Sequence, residues 1–65
     1  MPNIIVDGPP LSDMDRKRDL VRKITDAAQE AYGIDRSAFV VIIRENVLEN
    51  VSVGGTLLAD RSPGS

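Results

Sequence analysis

The chain has no cysteine, no histidine and no tryptophan, and only one tyrosine and one phenylalanine. Without cysteine there is no disulfide and no thiolate metal site. Without histidine, imidazole is excluded both as a general base and as a metal ligand. No apolar run approaches the roughly 18 residues that span a bilayer, and the start lacks the basic segment and long apolar stretch of a secretory leader. The expectation is therefore no membrane association and a cytoplasmic location. Net charge is −2, from ten acidic and eight basic residues, which does not favour nucleic acid. Arg16-Lys17-Arg18 and Arg22-Lys23 make one helix end cationic, but Asp13, Asp15, Asp19 and Asp26 are interleaved with them. Only Tyr32 and Phe39 could stack on a base, so a solvated helix face is the reading.

What remains is a single domain over 1–65 with 42% hydrophobic residues. A monomer of this size buries only about 60% of the surface its unfolded chain exposes and is marginal on its own. With no disulfide or metal to support it, assembly is the remaining support, and a homo-oligomer is expected.

Met1-Pro2-Asn3-Ile4-Ile5-Val6 opens the chain. Proline is small enough at position 2 for the initiator methionine to be trimmed, which would leave Pro2 with a free secondary amine. Every other proline nitrogen is locked in an amide, so this amine is a general base of an unusual kind. The plainer reading is that proline suits the first residue of a strand, where no ladder donor is needed.

Pro2 to about Asp7 is β-branched and reads as a strand. Gly8-Pro9-Pro10 ends it, because two prolines remove two donors and force an extended loop. Ser12 with Asp15 three residues on resembles a capping box. The helix it opens runs to about Tyr32, with Leu20, Val21, Ile24, Ala27, Ala28, Ala31 and Tyr32 as its apolar stripe. Gly33 closes it at a left-handed position. Ala38 to Arg44 reads as a second strand, apolar on both faces and so suited to burial on both. The two strands and the helix form a right-handed βαβ unit with parallel strands. Asn46 to Asn50 is a polar turn, Val51-Ser52-Val53 a short strand or hairpin arm, and Gly54-Gly55 a sharp reversal. Thr56 to Ala59 is apolar again, and 61–65 reads as a frayed tail. One helix covers one face of a sheet, so the other face of the second strand needs a partner subunit.

In order and spacing these segments resemble the short-chain 4-oxalocrotonate tautomerases of the tautomerase superfamily. The carriers are Met1-Pro2 before an apolar strand, Ser12-Asp13 opening one long helix, Ser37-Ala38-Phe39-Val40-Val41-Ile42-Ile43-Arg44-Glu45, and the glycine-pair segment Glu49 to Gly55. The resemblance covers about 2–61. It implies an α/β fold of βαβ units with a C-terminal hairpin, paired into dimers, three of which form a hexamer. It implies Pro2 as the catalytic base, with no cofactor or metal. The implied substrates are 2-hydroxydienoates and related enol/keto carboxylates.

A base working near neutral pH should have a pKa near that pH. A free α-amine starts near 8, and burial among Ile4, Val40, Val51 and similar side chains pushes it down. The dienolate that forms needs electrostatic support, commonly from arginine. Here the chain departs from the family. It carries Leu11-Ser12 before the helix and Val40 at the start of the central strand, where well-known members place arginines, and Val51 where an aromatic residue is common. Arg44, Arg16, Lys17 and Arg61 are the cations that could substitute, with Arg44 first, on the same strand face as Val40 and Ile42. Val40, Val51 and Val53 would line a pocket for a less polar enol, or else are packing. The competing readings are a small-molecule-binding oligomer of the same fold with weak or lost catalysis, and a relative that activates water through an acid such as Glu45 or Glu49.

Overall fold

In the computed structural model, residues 1–61 are described. Strand β1 (Asn3–Gly8) leads through a proline loop into helix α1 (Met14–Tyr32). A 3-10 turn (Arg36–Ala38) then feeds strand β2 (Val40–Glu45). A second turn (Leu48–Asn50), the two-residue strands β3 (Ser52–Val53) and β4 (Thr56–Leu57), and a third turn (Leu58–Asp60) complete the chain. β1 and β2 pair in parallel, in register from Asn3↔Val40 to Gly8↔Glu45. The βαβ unit and the hairpin read from the sequence are both present. The tail of 61–65 lies outside the described residues beyond Arg61.

The helix start differs from the capping-box reading. Asp13, not Ser12, is the cap: its carboxylate accepts from the Asp15 N–H at 2.9 Å. Aspartate and serine are about equal as caps, and Asp13 also offers its carbonyl to the Lys17 N–H at 3.2 Å. The helix ends as expected at Gly33, in the left-handed region (φ 68°), with its N–H donating to the Gln29 carbonyl at 2.8 Å. Nineteen residues give a helix about 28 Å long.

Strand β2 begins two residues later than read. Asp35 accepts from the Ser37 N–H at 3.0 Å and winds Arg36–Ala38 into a turn, with Phe39 closing it. Arg36 ties this turn to the helix through Asp26 at 2.6 Å and the Arg22 carbonyl at 3.3 Å.

Alternation along the strands sorts the two sheet faces. Ile4, Val6, Val41 and Ile43 are half-buried, on the face that α1 covers with Leu20, Val21, Ile24 and Ala28. Ala27, Ala31 and Tyr32, read as part of the stripe, are exposed. A two-stranded sheet is too narrow to cover so wide a stripe, and Tyr32 instead meets Phe39 edge-on at 5.8 Å. The opposite sheet face is bare, with Ile5 47%, Val40 37% and Ile42 43% exposed.

No described residue is fully buried. The radius of gyration is 15.4 Å, against about 11 Å for a globule of this length. A lone chain is thus a scaffold without a core, and its apolar sheet face is what a core would be built from.

Candidate active site

Pro2 stands just before β1. It is half-buried, and its carbonyl accepts from the Val40 N–H at 3.1 Å, which fixes the chain start beside the start of β2. Met1 projects into solvent, 90% exposed. Val40 is the register partner of Asn3, so the structure brings Val40 next to Pro2 as neighbours along the ladder. Ile4 and Val40 fall on opposite sheet faces by alternation. They therefore do not enclose Pro2 together within one chain.

The remaining predicted residues lie elsewhere. Arg44 is at the far end of β2, paired in register with Asp7. Four residues separate it from Val40, about 13 Å along the strand. Val51 is half-buried between the second turn and β3, and its carbonyl accepts from the Leu58 N–H at 2.8 Å. Val53 sits on the hairpin, 56% exposed. Hairpin geometry follows from Gly54 and Gly55, both at positive φ (61° and 86°), as a tight primed turn requires.

At that far end is a cavity of about 320 Å³, lined by Asp7, Gly8, Pro9, Asn46, Leu48, Val51 and Leu58. Val51 is the one predicted residue among them. The others were not singled out, although the sequence carried a signal: in α/β sheets ligands bind outside the carboxyl ends of the strands, and Gly8-Pro9-Pro10 marks that end. From Pro2 to Gly8 is six residues of strand, about 20 Å. Within one chain, base and groove are at opposite ends of the sheet.

Ion pairs sort the candidate cations. Lys17 is bound to Glu45 at 2.7 Å and Arg16 lies 3.9 Å from Asp13. Among the described residues Arg44 and Arg61 make no ion pair. Glu45 also accepts from the Leu11 N–H at 2.6 Å. The Lys17 ammonium, then the Leu11 amide, hold its carboxyl below the usual carboxylate range. This engaged carboxylate stands at the end of the sheet opposite Pro2, so one chain does not offer it to Pro2 as a partner for activating water. Among the described residues no group of three or more His, Cys, Asp or Glu gathers where it could hold a metal, and no helix is long and apolar enough to cross a membrane.

The tautomerase family model, described as tautomerase enzyme, matches residues 2–61. The chain belongs to the 4-oxalocrotonate tautomerase family of the tautomerase superfamily. Similar solved structures agree. DmpI from Archaeoglobus fulgidus is 51% identical, with a TM-score of 0.81, over 91% of this chain and 100% of that one. YwhB, a homologue of 4-oxalocrotonate tautomerase, is 31% identical with a TM-score of 0.87, over 94% and 100%. A further 4-oxalocrotonate tautomerase homologue is 27% identical with a TM-score of 0.84, over 95% and 98%. No curated protein matches the chain. Membership of this family supports an isomerase function of the tautomerase kind.

Proposed function

We propose that the mature protein interconverts enol and keto forms of a 2-hydroxydienoate-like carboxylate, with Pro2 as general base once Met1 is removed. The observation that carries this reading is the placement of Pro2: half-buried, fixed by its carbonyl to the start of β2, behind an exposed Met1. Its ring sets the direction of the lone pair, and partial burial disfavours the ammonium form. The amine takes the proton from the enol hydroxyl and, as the ammonium, delivers a proton to carbon. The reaction needs neither cofactor nor metal.

The site is assembled from two chains. Both edges of the two-stranded sheet are open, and its bare face is apolar. Antiparallel pairing of two copies about a two-fold axis sets the start of one sheet beside the end of the other. The partner's Pro2 then faces the groove of Gly8, Pro9, Leu48, Val51 and Leu58, and dimers of this kind close their bare faces by assembling into a hexamer. Arg44, beside the groove's Asp7 and without an ion pair among the described residues, is the cation to take the substrate carboxylate, while Val40, Val51 and Val53 supply apolar lining across the assembled subunits.

The weaker alternative, a binding oligomer with little catalysis, draws on the same groove: its lining contains no cation. Ketonisation of 2-hydroxymuconate, followed by ultraviolet absorbance after mass spectrometry confirms loss of Met1, separates the two. A rate well above buffer that collapses in Pro2→Ala supports the tautomerase; equal background rates in both proteins support the binding oligomer.

A further inference from the structure

The loop that walls the groove is pinned at two points, and one of them is a side chain. After Gly8 come Pro9 and Pro10, neither of which has an N–H, so Leu11 carries the first backbone donor the loop can offer. Gly8 accepts through its carbonyl from the Asn46 N–H at 2.8 Å. Leu11 donates to Glu45 Oε2 at 2.6 Å. The loop is thus fastened on either side of its prolines to two consecutive residues at the end of β2, and Pro9, which lines the groove, is held between them. The other oxygen of the same carboxylate, Oε1, takes Lys17 Nζ at 2.7 Å. Lys17 is itself in the first turn of α1, where its N–H donates to the Asp13 carbonyl. One carboxylate therefore joins the groove loop, the helix start and the end of the central strand. These links bridge 34 and 28 residues of sequence.

We infer that Glu45, oriented by Lys17, is a positioning residue that fixes the Pro9 wall of the groove and so sets its fit to substrate; this rests on the reading of the groove as the substrate site. Glu45 touches no reacting atom. Its carboxylate works through the Leu11 amide, and Lys17 keeps it ionised and aimed. Losing it frees the loop between Gly8 and the Asp13 cap, which loosens ground-state binding and leaves the Pro2 chemistry in place.

The assembled, Met1-trimmed chain and its variants Glu45→Ala, Glu45→Gln and Lys17→Met provide the test. Amide exchange at Leu11, read by NMR against a mid-helix amide such as Ala27, reports the tether without reference to activity. It should quicken by about fivefold or more in Glu45→Ala, with Ala27 unchanged. In Glu45→Gln the change should be smaller, because the amide oxygen still accepts. For 2-hydroxymuconate, KM should rise about threefold to tenfold in Glu45→Ala with kcat within about twofold. Lys17→Met should move KM the same way, and Glu45→Gln should recover part of the loss. Unchanged Leu11 exchange would overturn the tether, whatever the protein catalyses. Faster exchange with KM unchanged, or with kcat falling instead, would overturn the positioning role. A parent chain with a protected Leu11 amide but no activity would sink the function reading and the positioning role with it, while leaving the tether standing.

Discussion

Replacing Ile42 with lysine should take the protein apart. Ile42 lies in the middle of the bare sheet face, 43% exposed, between Val40 and Arg44 and in register with Ile5. Fully burying an isoleucine or valine side chain is worth about 1.5–3 kcal/mol. The fractions of Ile5, Val40 and Ile42 still in water leave about 2–4 kcal/mol per protomer to be gained when a partner covers that face. An ammonium set into the same face would forfeit the Ile42 share and add a desolvation cost of several kcal/mol. None of the described residues of the lone chain is fully buried, so the separated protomer has no core to retain. Sedimentation velocity should show the parent chain as a multiple of 7.1 kDa and Ile42→Lys as a smaller species, no larger than the edge-paired dimer, and far-ultraviolet circular dichroism should show the helix signal falling with it. An Ile42→Lys protein that kept both the parental mass and the parental melting temperature would refute the assignment of this face to assembly.

Three further outcomes follow from local geometry. Because the pKa of Glu45 is depressed in the fold, chiefly by Lys17 and then by the Leu11 amide, its contribution to stability is present above the unfolded carboxyl value and is lost as pH falls through the folded value. The urea midpoint of Glu45→Gln should therefore change less than that of the parent between pH 7 and pH 3. Asp13→Ala should lower stability by about 0.5–2 kcal/mol through the lost cap, while Ser12→Ala should stay within about 0.5 kcal/mol; equal losses in thermal unfolding would return the cap to Ser12. Gly33→Ala should cost about 1–2 kcal/mol from backbone conformation alone, since a Cβ there meets nothing within 4 Å; unchanged melting would contradict the left-handed cap.

Local signals carried most of the fold. Ile4 to Val6, the stripe through Leu20, Val21, Ile24 and Ala28, the apolar run to Ile43, and the glycines at 33, 54 and 55 all act over a few residues, so their periodicity is visible in the chain. Two element boundaries differ from the reading because local caps competed, and Ala27, Ala31 and Tyr32 differ because the two-stranded sheet is too narrow to cover them. Asp13 caps as well as Ser12 does, and the Asp35 cap takes Ala38 and Phe39 out of the strand. The site was read less completely because it depends on separation through space. Pro2 stands out by its place in the chain, whereas the groove about 20 Å away at the other end of the same strand is signalled only by the general rule for the carboxyl ends of strands, with no motif in Gly8-Pro9-Pro10 that ties it to Pro2. Nor does any period link Glu45 to Leu11 and Lys17, whose partnership exists only once β2 lies beside β1.

A mixing experiment tests most directly the claim that one chain's Pro2 works in its partner's groove. Pro2→Ala removes the base, and Leu48→Trp fills the groove, whose lining includes Leu48. Each alone should be nearly inactive toward 2-hydroxymuconate. When the two are unfolded together in equal amounts and reassembled, pairs containing one of each regain one intact site, and activity should return to about a quarter of the parental level. No recovery in the mixed assembly, with each variant shown to oligomerise by itself, would contradict a site shared between chains.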